Sequence, residues 1–100
     1  MEKLHQGDIL KIENIKHPVL IVSKDFFNAS GEIIGCPIIR NSAPGPLHIW
    51  MLTEANEGYI QCEKLALLDL SIRGYQKVDS LPISEMINVC DAIQGIFEYI

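Results

Sequence analysis

Residues 17–38 read HPVLIVSKDFFNASGEIIGCPI, and this stretch decides the fold that the sequence predicts. Residues 19–22 are an unbroken apolar run rich in β-branched side chains. The run is too short for a core helix, so it predicts a strand buried on both faces. Residues 28–31 have turn composition, and residues 33–39 predict a second apolar strand. We expect a short helical connection between the two strands, with an aromatic of residues 26–27 folded back over the sheet.

The rest of the sequence predicts more short strands of the same kind. They cover residues 8–13, 47–52, 59–63, 65–69 and 75–78. In the strand over residues 47–52, His48 and Trp50 share the face opposite to Leu47, Ile49 and Met51. Six or seven short strands predict a mainly β fold, in the form of a small, partly open barrel followed by a C-terminal helix.

The C-terminal helix is predicted to begin at Pro82, since the N–H that proline lacks would be unsatisfied in a first turn anyway. Apolar residues recur after it at helical spacing, at Ile83, Met86, Ile87, Cys90, Ile93, Phe97 and Ile100. We expect this face to pack on the barrel. Val89, Ala92 and Ile96 widen the apolar arc, and this width favours a second partner such as another subunit.

Length and composition indicate one domain over residues 1–100. Apolar residues make up 48% of the chain, which is enough for a core. No apolar run approaches the ~20 residues of a membrane helix, and the polar start predicts no signal peptide, so we expect a cytoplasmic protein with no membrane partner. The net charge of −5 disfavours non-specific nucleic-acid binding, because Lys and Arg supply most of that affinity.

The cysteine pattern argues against disulfides and against metal sites. Cys36 and Cys62 are the nearest pair and lie 26 residues apart, and Cys90 makes the number odd. This spacing excludes a CxxC motif, and it argues against a disulfide framework. We expect all three thiols to be reduced and buried, and we expect neither a metal nor another cofactor.

Several stretches, taken in their order and spacing, resemble the PemK/MazF family of bacterial toxins. They are GDI at 7–9, PVLIVS at 18–23 with FN at 27–28, CPI at 36–38, GYIQCE at 58–63, and LD at 68–69 with RG at 73–74. The resemblance covers nearly the whole chain. It implies an SH3-like barrel of the CcdB/PemK/MazF type, a homodimer, and a type II toxin that a small antitoxin protein neutralises. Family members cleave RNA without a metal ion.

The resemblance also indicates where the site should lie. In the family reaction the RNA 2′-hydroxyl attacks the adjacent phosphate, which requires a base, an acid and positive charge or donors. The family commonly takes these from an Arg before the second strand, a Thr or Ser after the third strand, and an Arg-x-Asp later. His17, Ile39 and residues 61–63 (QCE) stand at these places here. The loop before the second strand is also several residues shorter than is usual in the family.

A replacement set of site residues can still be assembled from the sequence. The predicted catalytic residues are His17, Arg40 and Glu63, and the predicted substrate-binding residues are Lys16, Gln61, His48 and Trp50. In this set we expect His17 to act as acid or base with Glu63 as its partner, and Arg40 or Lys16 to meet the phosphate. As substrate-binding residues, His48 and Trp50 would stack on a base of single-stranded RNA. We expect the groove between the His17 loop, the loop over residues 40–46, and the strand that carries Glu63.

Each of these residues also has a structural interpretation. His17 can cap a loop, Glu63 can pair with a lysine on the surface, and Arg40 can be a solvated loop residue. His48 and Trp50 can form a dimer or core contact instead of binding RNA. Sequence alone leaves both sets of roles open.

Two functions follow from these observations. The first is a toxin that cleaves messenger RNA with a diverged active site. The second is a non-catalytic protein on the same barrel, which binds an antitoxin or inhibits a target protein as CcdB-type toxins do. Ile39, Gln61 and the negative net charge favour the second function. The apolar aromatic end at residues 97–100 also fits it, since CcdB-type toxins act through their last residues.

Overall fold

The computed structural model describes residues 3–97, which form seven strands and two helices. The strands are β1 (Asp8–Ile12), β2 (Val19–Ile21), β3 (Glu32–Ile39), β4 (His48–Leu52), β5 (Glu57–Gln61), β6 (Ala66–Asp69) and β7 (Tyr75–Ser80). The helices are α1 (Asp25–Asn28) and α2 (Ile83–Ile96). Residues 17–38 therefore contain β2, α1 and nearly all of β3, as predicted. No helix within residues 3–97 has the length and apolarity to cross a membrane.

The strands form one antiparallel sheet in the order β4-β5-β3-β2-β1-β7. β3 is long enough to pair with β6 through its first half and with β5 through its second half, and it pairs with β2 on its other side. Within the described residues β4 and β7 do not pair with each other, so the curled sheet stays open between them. The predicted fold class, mainly β with a C-terminal helix, is confirmed.

Alternate residues of the central strands supply two buried clusters, which is why β2 is apolar throughout. Leu20 of β2 belongs to a cluster with Ile9, Cys36, Ile38, Met51, Ile60, Cys62, Leu81, Met86 and Val89. Its neighbours Val19 and Ile21 belong to a second cluster with Leu4, Leu10, Ile12, Ile33 and Leu70. All three residues of β2 are buried, so the prediction of a strand covered on both faces is confirmed.

Hydrogen bonds of Asn28 hold the connection between β2 and β3. The buried Asn28 amide donates to the Ser23 carbonyl at 3.0 Å and to the Leu4 carbonyl at 3.3 Å, and it accepts the Ser23 hydroxyl at 2.5 Å. Phe27 is partly buried, but Phe26 is 80% exposed. Phe26 therefore does not cover the sheet: buried polar contacts fix this turn, and they leave that ring in solvent.

Helix α2 packs through a narrower face than the sequence predicted. Met86 and Val89 are buried against the barrel, while Cys90 and Ile93 are only partly buried. The predicted core face was wrong at three exposed positions, Ile83, Ile87 and Phe97. The physical reason is that the helix's own apolar residues occupy most of its circumference, and the small barrel covers only part of that apolar arc. The predicted position Ile100 lies outside the described residues.

Side chains bridge the open side of the sheet between β4 and β7. The Thr53 hydroxyl donates to the Asp79 carboxylate, and the Asn56 amide donates to Asp79 Oδ2 at 3.1 Å. The Ser80 amide donates to Asp79 Oδ1 at 2.9 Å. Burial raises the pKa of Asp79, but the hydrogen bonds from Thr53, Asn56 and Ser80 outweigh burial and leave the pKa lowered. A charged Asp79 therefore fixes the β4–β5 turn to β7.

Candidate functional site

The register of β4, β5 and β3 places one row of side chains on the outer face of the sheet. Trp50 on β4 lies opposite Tyr59 on β5, which in turn lies opposite Ile39 on β3. His48 lies opposite Gln61 in the neighbouring row. The Ile38 amide donates to the Pro18 carbonyl at 2.9 Å, so His17 reaches the end of β3 next to Ile39. The face therefore extends from His48 and Trp50 at one edge towards His17 at the other.

His48 and Glu63 form a hydrogen-bonded pair at one end of this face. His48 Nε2 lies 2.7 Å from Glu63 Oε2, and His48 Nδ1 lies 2.8 Å from the Ala43 carbonyl oxygen. Both partners are acceptors, so the ring satisfies them together only when it is doubly protonated. The Glu63 bond, followed by the Ala43 bond, raises the pKa of His48, and the His48 bond lowers the pKa of Glu63. This end of the face thus carries an imidazolium–carboxylate pair.

Arg40 lies at the other end of β5 and has a different partner. Its Nη2 is 2.6 Å from Glu57 Oε1, and Glu57 is the first residue of β5. Glu63 lies two residues beyond Gln61, the last residue of the same strand, and Gln61 is about 13 Å from Glu57 at ~3.3 Å per residue. The expected convergence of Arg40 and Glu63 in one groove is therefore not observed. The antiparallel register is the reason, because it sets the end of β3 beside the start of β5.

Lys16 and His17 lie in the short loop between β1 and β2. Lys16 is exposed and His17 is partly exposed. Neither forms an ion pair or a side-chain hydrogen bond with another residue in the described range 3–97. His17 is thus a titratable side chain without a fixed partner there, on the Arg40 side of the face.

The middle of the face is aromatic and not polar. Trp50 is 46% exposed, and its ring meets Tyr59 edge to face with 5.1 Å between centroids. Gln61 is only 1% exposed and donates to the Tyr59 carbonyl at 3.1 Å, so its amide supports the strand in this conformation. Tyr59 was not among the predicted site residues. Its place beside Trp50 could have been predicted from the sequence, because Trp50 and Tyr59 lie on either side of the same polar turn.

The described thiols do not form a reactive centre. Burial raises the pKa of Cys36, and it raises that of Cys62 to about 11. Cys90 is only partly buried, so the expectation of three buried thiols was wrong there, because the barrel covers only part of helix α2. Within residues 3–97, no three His, Cys, Asp or Glu side chains are grouped to hold a metal ion.

Comparison with solved structures finds the same fold at low sequence identity. A MazE–MazF complex from Deinococcus radiodurans is 16% identical, with a TM-score of 0.87 over 97% of this chain and 98% of that chain. An endoribonuclease from a mycobacterial species is also 16% identical, with a TM-score of 0.83 over 97% and 93%. The same kind of mycobacterial enzyme in complex with its cognate antitoxin is 15% identical, with a TM-score of 0.81 over 94% of each chain.

The sequence match to a protein family is more specific than these fold similarities. Comparison with characterised protein sequences finds no significant match. The model of the PemK-like, MazF-like toxins of type II toxin–antitoxin systems, in contrast, matches residues 6–97. This match spans most of the chain and agrees with the fold. The chain therefore belongs to the PemK/MazF-like toxin family of type II toxin–antitoxin systems.

Proposed function

We propose that this toxin is an endoribonuclease that cleaves messenger RNA in the cytoplasm without a metal ion. The observation that carries the proposal is the family match over residues 6–97. The fold shared with a mycobacterial endoribonuclease supports it. In the proposed reaction the 2′-oxygen loses its proton and bonds to the adjacent phosphorus. The bond to the 5′-oxygen then breaks, and this oxygen takes up a proton.

The proposed catalytic groups lie on the Arg40 side of the outer face. His17 transfers a proton, since it is titratable and has no described side-chain partner. Arg40 stabilises the charge that develops on the phosphate, and for this its guanidinium must share or leave the Glu57 carboxylate. Glu63 acts through His48, which it holds as a cation at the far end of the face.

The proposed substrate contacts are aromatic and cationic. Trp50, supported edge to face by Tyr59, offers a ring on which an unpaired RNA base can stack. His48 adds positive charge beside that ring, and Lys16 adds it near His17. Gln61 would contact RNA only after its buried amide moved, so its proposed part is to position Tyr59 and His48.

The proposed partners are a second copy of the chain and a small antitoxin protein. The exposed Ile83 and Ile87 of α2 give a second copy an apolar surface. The Deinococcus MazF was crystallised with MazE, and a mycobacterial relative was crystallised with its cognate antitoxin. A short antitoxin that occupies the outer face would block RNA from it.

Substitution of His17 tests the catalytic proposal. His17→Ala should lower the rate of RNA cleavage by about 10²–10⁴-fold, the usual effect of losing a positioned acid or base. His5→Ala is the matched control, because His5 pairs with Asp25 away from this face, and it should cleave like the parent. Cleavage of one long RNA by the three proteins is compared on a gel. Equal rates for His17→Ala and the parent would remove His17 from the reaction.

A second function, binding without catalysis, is favoured by one specific observation. The positions that the family resemblance assigns to an Arg and to a hydroxyl residue hold a buried Gln61 and an apolar Ile39. Neither side chain carries a charge or a titratable proton. A purified protein that leaves RNA intact yet binds its antitoxin would establish this function instead.

A further inference from the structure

The open side of the sheet contains a basic pocket that the proposed reaction leaves mostly unused. Its volume is about 340 Å³, and it is lined by Lys11, Lys16, Pro18, Ala55, Asn56 and Val78. This volume falls at the lower end of the ~300–1,000 Å³ that is typical of small-ligand sites. The pocket is therefore large enough for a phosphate group with its sugar.

Four parts of the chain line the pocket, which are β1, the loop before β2, the turn between β4 and β5, and an irregularity in β7. Ile9 pairs with Asp79 and Leu10 pairs with Lys77, so Val78 is an extra residue opposite β1. Such a bulge redirects side chains at the edge of a sheet. Lys16 comes from the loop before β2. Asn56 comes from the turn that hydrogen bonds fix to Asp79.

The two lysines that line the pocket are not paired with carboxylates. Among the described residues, neither Lys11 nor Lys16 has a carboxylate within 4.0 Å. The paired cations lie elsewhere, Arg40 with Glu57 and Lys77 with Asp8. The nearby Asp79 is charged, but Thr53, Asn56 and the Ser80 amide already donate to its oxygens. Two lysines without acidic partners therefore line one cavity.

We propose that this pocket binds a backbone phosphate of the RNA strand, one or more nucleotides away from the cleaved bond. The inference rests on the proposed endoribonuclease function. Pro18 lines the pocket and is bonded to His17, so RNA that passes His17 reaches the pocket next. The turn over residues 53–56 separates this pocket from a smaller one lined by Arg40. RNA phosphates bound on both sides of this turn would fix the direction in which the RNA strand crosses the protein.

The salt dependence of RNA binding tests the pocket directly. The probe is a fluorescein-labelled single-stranded RNA of mixed sequence, and His17→Ala is present in every protein to prevent cleavage. Lys11→Ala with Lys16→Ala is compared with Lys3→Ala with Lys24→Ala, which changes the net charge equally at exposed sites outside the pocket. Anisotropy is measured over a range of salt concentrations. The negative slope of log K against log salt should become shallower by about 0.7 for each phosphate contact removed, in the pocket variant only.

The possible outcomes separate the pocket from the proposed function. Equal slopes in the two double variants would overturn the pocket while the function stands. If the His17→Ala protein and the parent both fail to bind RNA, the proposed function fails instead. The pocket is then tested with pyrophosphate, by NMR of the Lys11 and Asn56 backbone amides. Saturable shifts that the pocket variant abolishes would support a phosphate site, and unchanged spectra would overturn it.

Discussion

At the scale of single residues, the His48–Glu63 pair links the stability of the fold to pH. Folding raises the pKa of His48. The contribution of His48 to the free energy of unfolding is therefore complete below the unfolded pKa of 6.5, and it is lost as the pH rises through the folded pKa. Folding lowers the pKa of Glu63. The contribution of Glu63 to the free energy of unfolding is therefore present above the unfolded pKa of 4.5, and it is lost as the pH falls through the folded pKa. The pair should therefore contribute most between these two unfolded values.

Substitution of His48 should reveal this pH window. His48→Gln should reduce the free energy of unfolding more at about pH 5.5 than at about pH 9, because only the lower pH keeps the ring charged beside Glu63. Urea unfolding of variant and parent at the two pH values measures the difference. His17→Gln is the control, since His17 has no such partner among residues 3–97, and it should show no comparable window. A His48→Gln loss that is equal at both pH values would contradict the charged pair.

The sequence identified most of these residues but not their partners. His17, Arg40, His48 and Glu63 were all predicted as site residues, while the pairs Arg40–Glu57 and His48–Glu63 were not. Such pairs depend on the register of β4, β5 and β3, and a slip of one residue would turn every side chain to the other face. Spacing in the sequence does not fix that register, so the grouping of the site required the structure.

At the scale of elements, the close contact between β2 and β3 requires a glycine. A Cβ atom on Gly35 would lie 2.5 Å from Val19 Cγ1 and 3.0 Å from the Leu20 carbonyl oxygen. Gly35→Ala should therefore force the two central strands apart and lower stability by about 1–3 kcal/mol. Gly45→Ala is the control, because nothing lies within 4 Å of its added carbon. Urea midpoints measure both variants, and a Gly35→Ala protein as stable as the control would refute this contact.

The elements themselves were largely predictable from hydrophobic pattern. The short strand β2, the strand before Arg40 and the start of the last helix all followed from local rules. The structure confirms both strands and begins α2 at Ile83, with Pro82 as its N-cap and not as its first residue. The buried face of α2 could not be predicted from these local rules. Its apolar residues surround most of the helix, so periodicity alone does not tell which part of the arc the barrel covers. Only the positions of the strands decide that Met86 and Val89 are buried.

At the scale of the whole molecule, the exposed apolar residues of α2 predict a homodimer. Ile83 and Ile87 are 80% and 56% exposed and lie one helical turn apart. Sedimentation at micromolar concentration should give about twice the 11.2 kDa chain mass. Ile83→Glu with Ile87→Glu should give a folded monomer, because the charges would be buried in the interface.

A matched variant makes the dimer experiment specific. Leu67→Glu with Ile72→Glu adds the same charge at exposed apolar positions away from α2, and this protein should remain a dimer. Circular dichroism verifies that both variants are folded. A parent that sediments as a monomer, or an α2 variant that remains dimeric, would exclude this interface.

Fold and family were predictable because they depend on the order of many short stretches along the chain. The chemistry was less predictable, since function lies in a few side chains placed on a shared fold. This chain keeps the family framework, yet holds His17, Ile39 and Gln61 at the positions where the resemblance implies other residues. The roles of these residues therefore depend on contacts that the framework does not dictate.

The most direct test of the proposed endoribonuclease function is the chemistry of the RNA ends after incubation with the pure protein in EDTA. A long single-stranded RNA should be cut, leaving 2′,3′-cyclic phosphate and 5′-hydroxyl ends, and EDTA should not slow the reaction. The 5′-hydroxyl ends are assigned by their failure to ligate to an adaptor until a phosphate is added to them, and the cyclic phosphate ends by the mass of the other fragment, which is lower than that of a 3′-phosphate by the mass of one water molecule. RNA that stays intact with the folded parent protein, or cleavage that EDTA abolishes, would contradict the proposal of a metal-independent endoribonuclease.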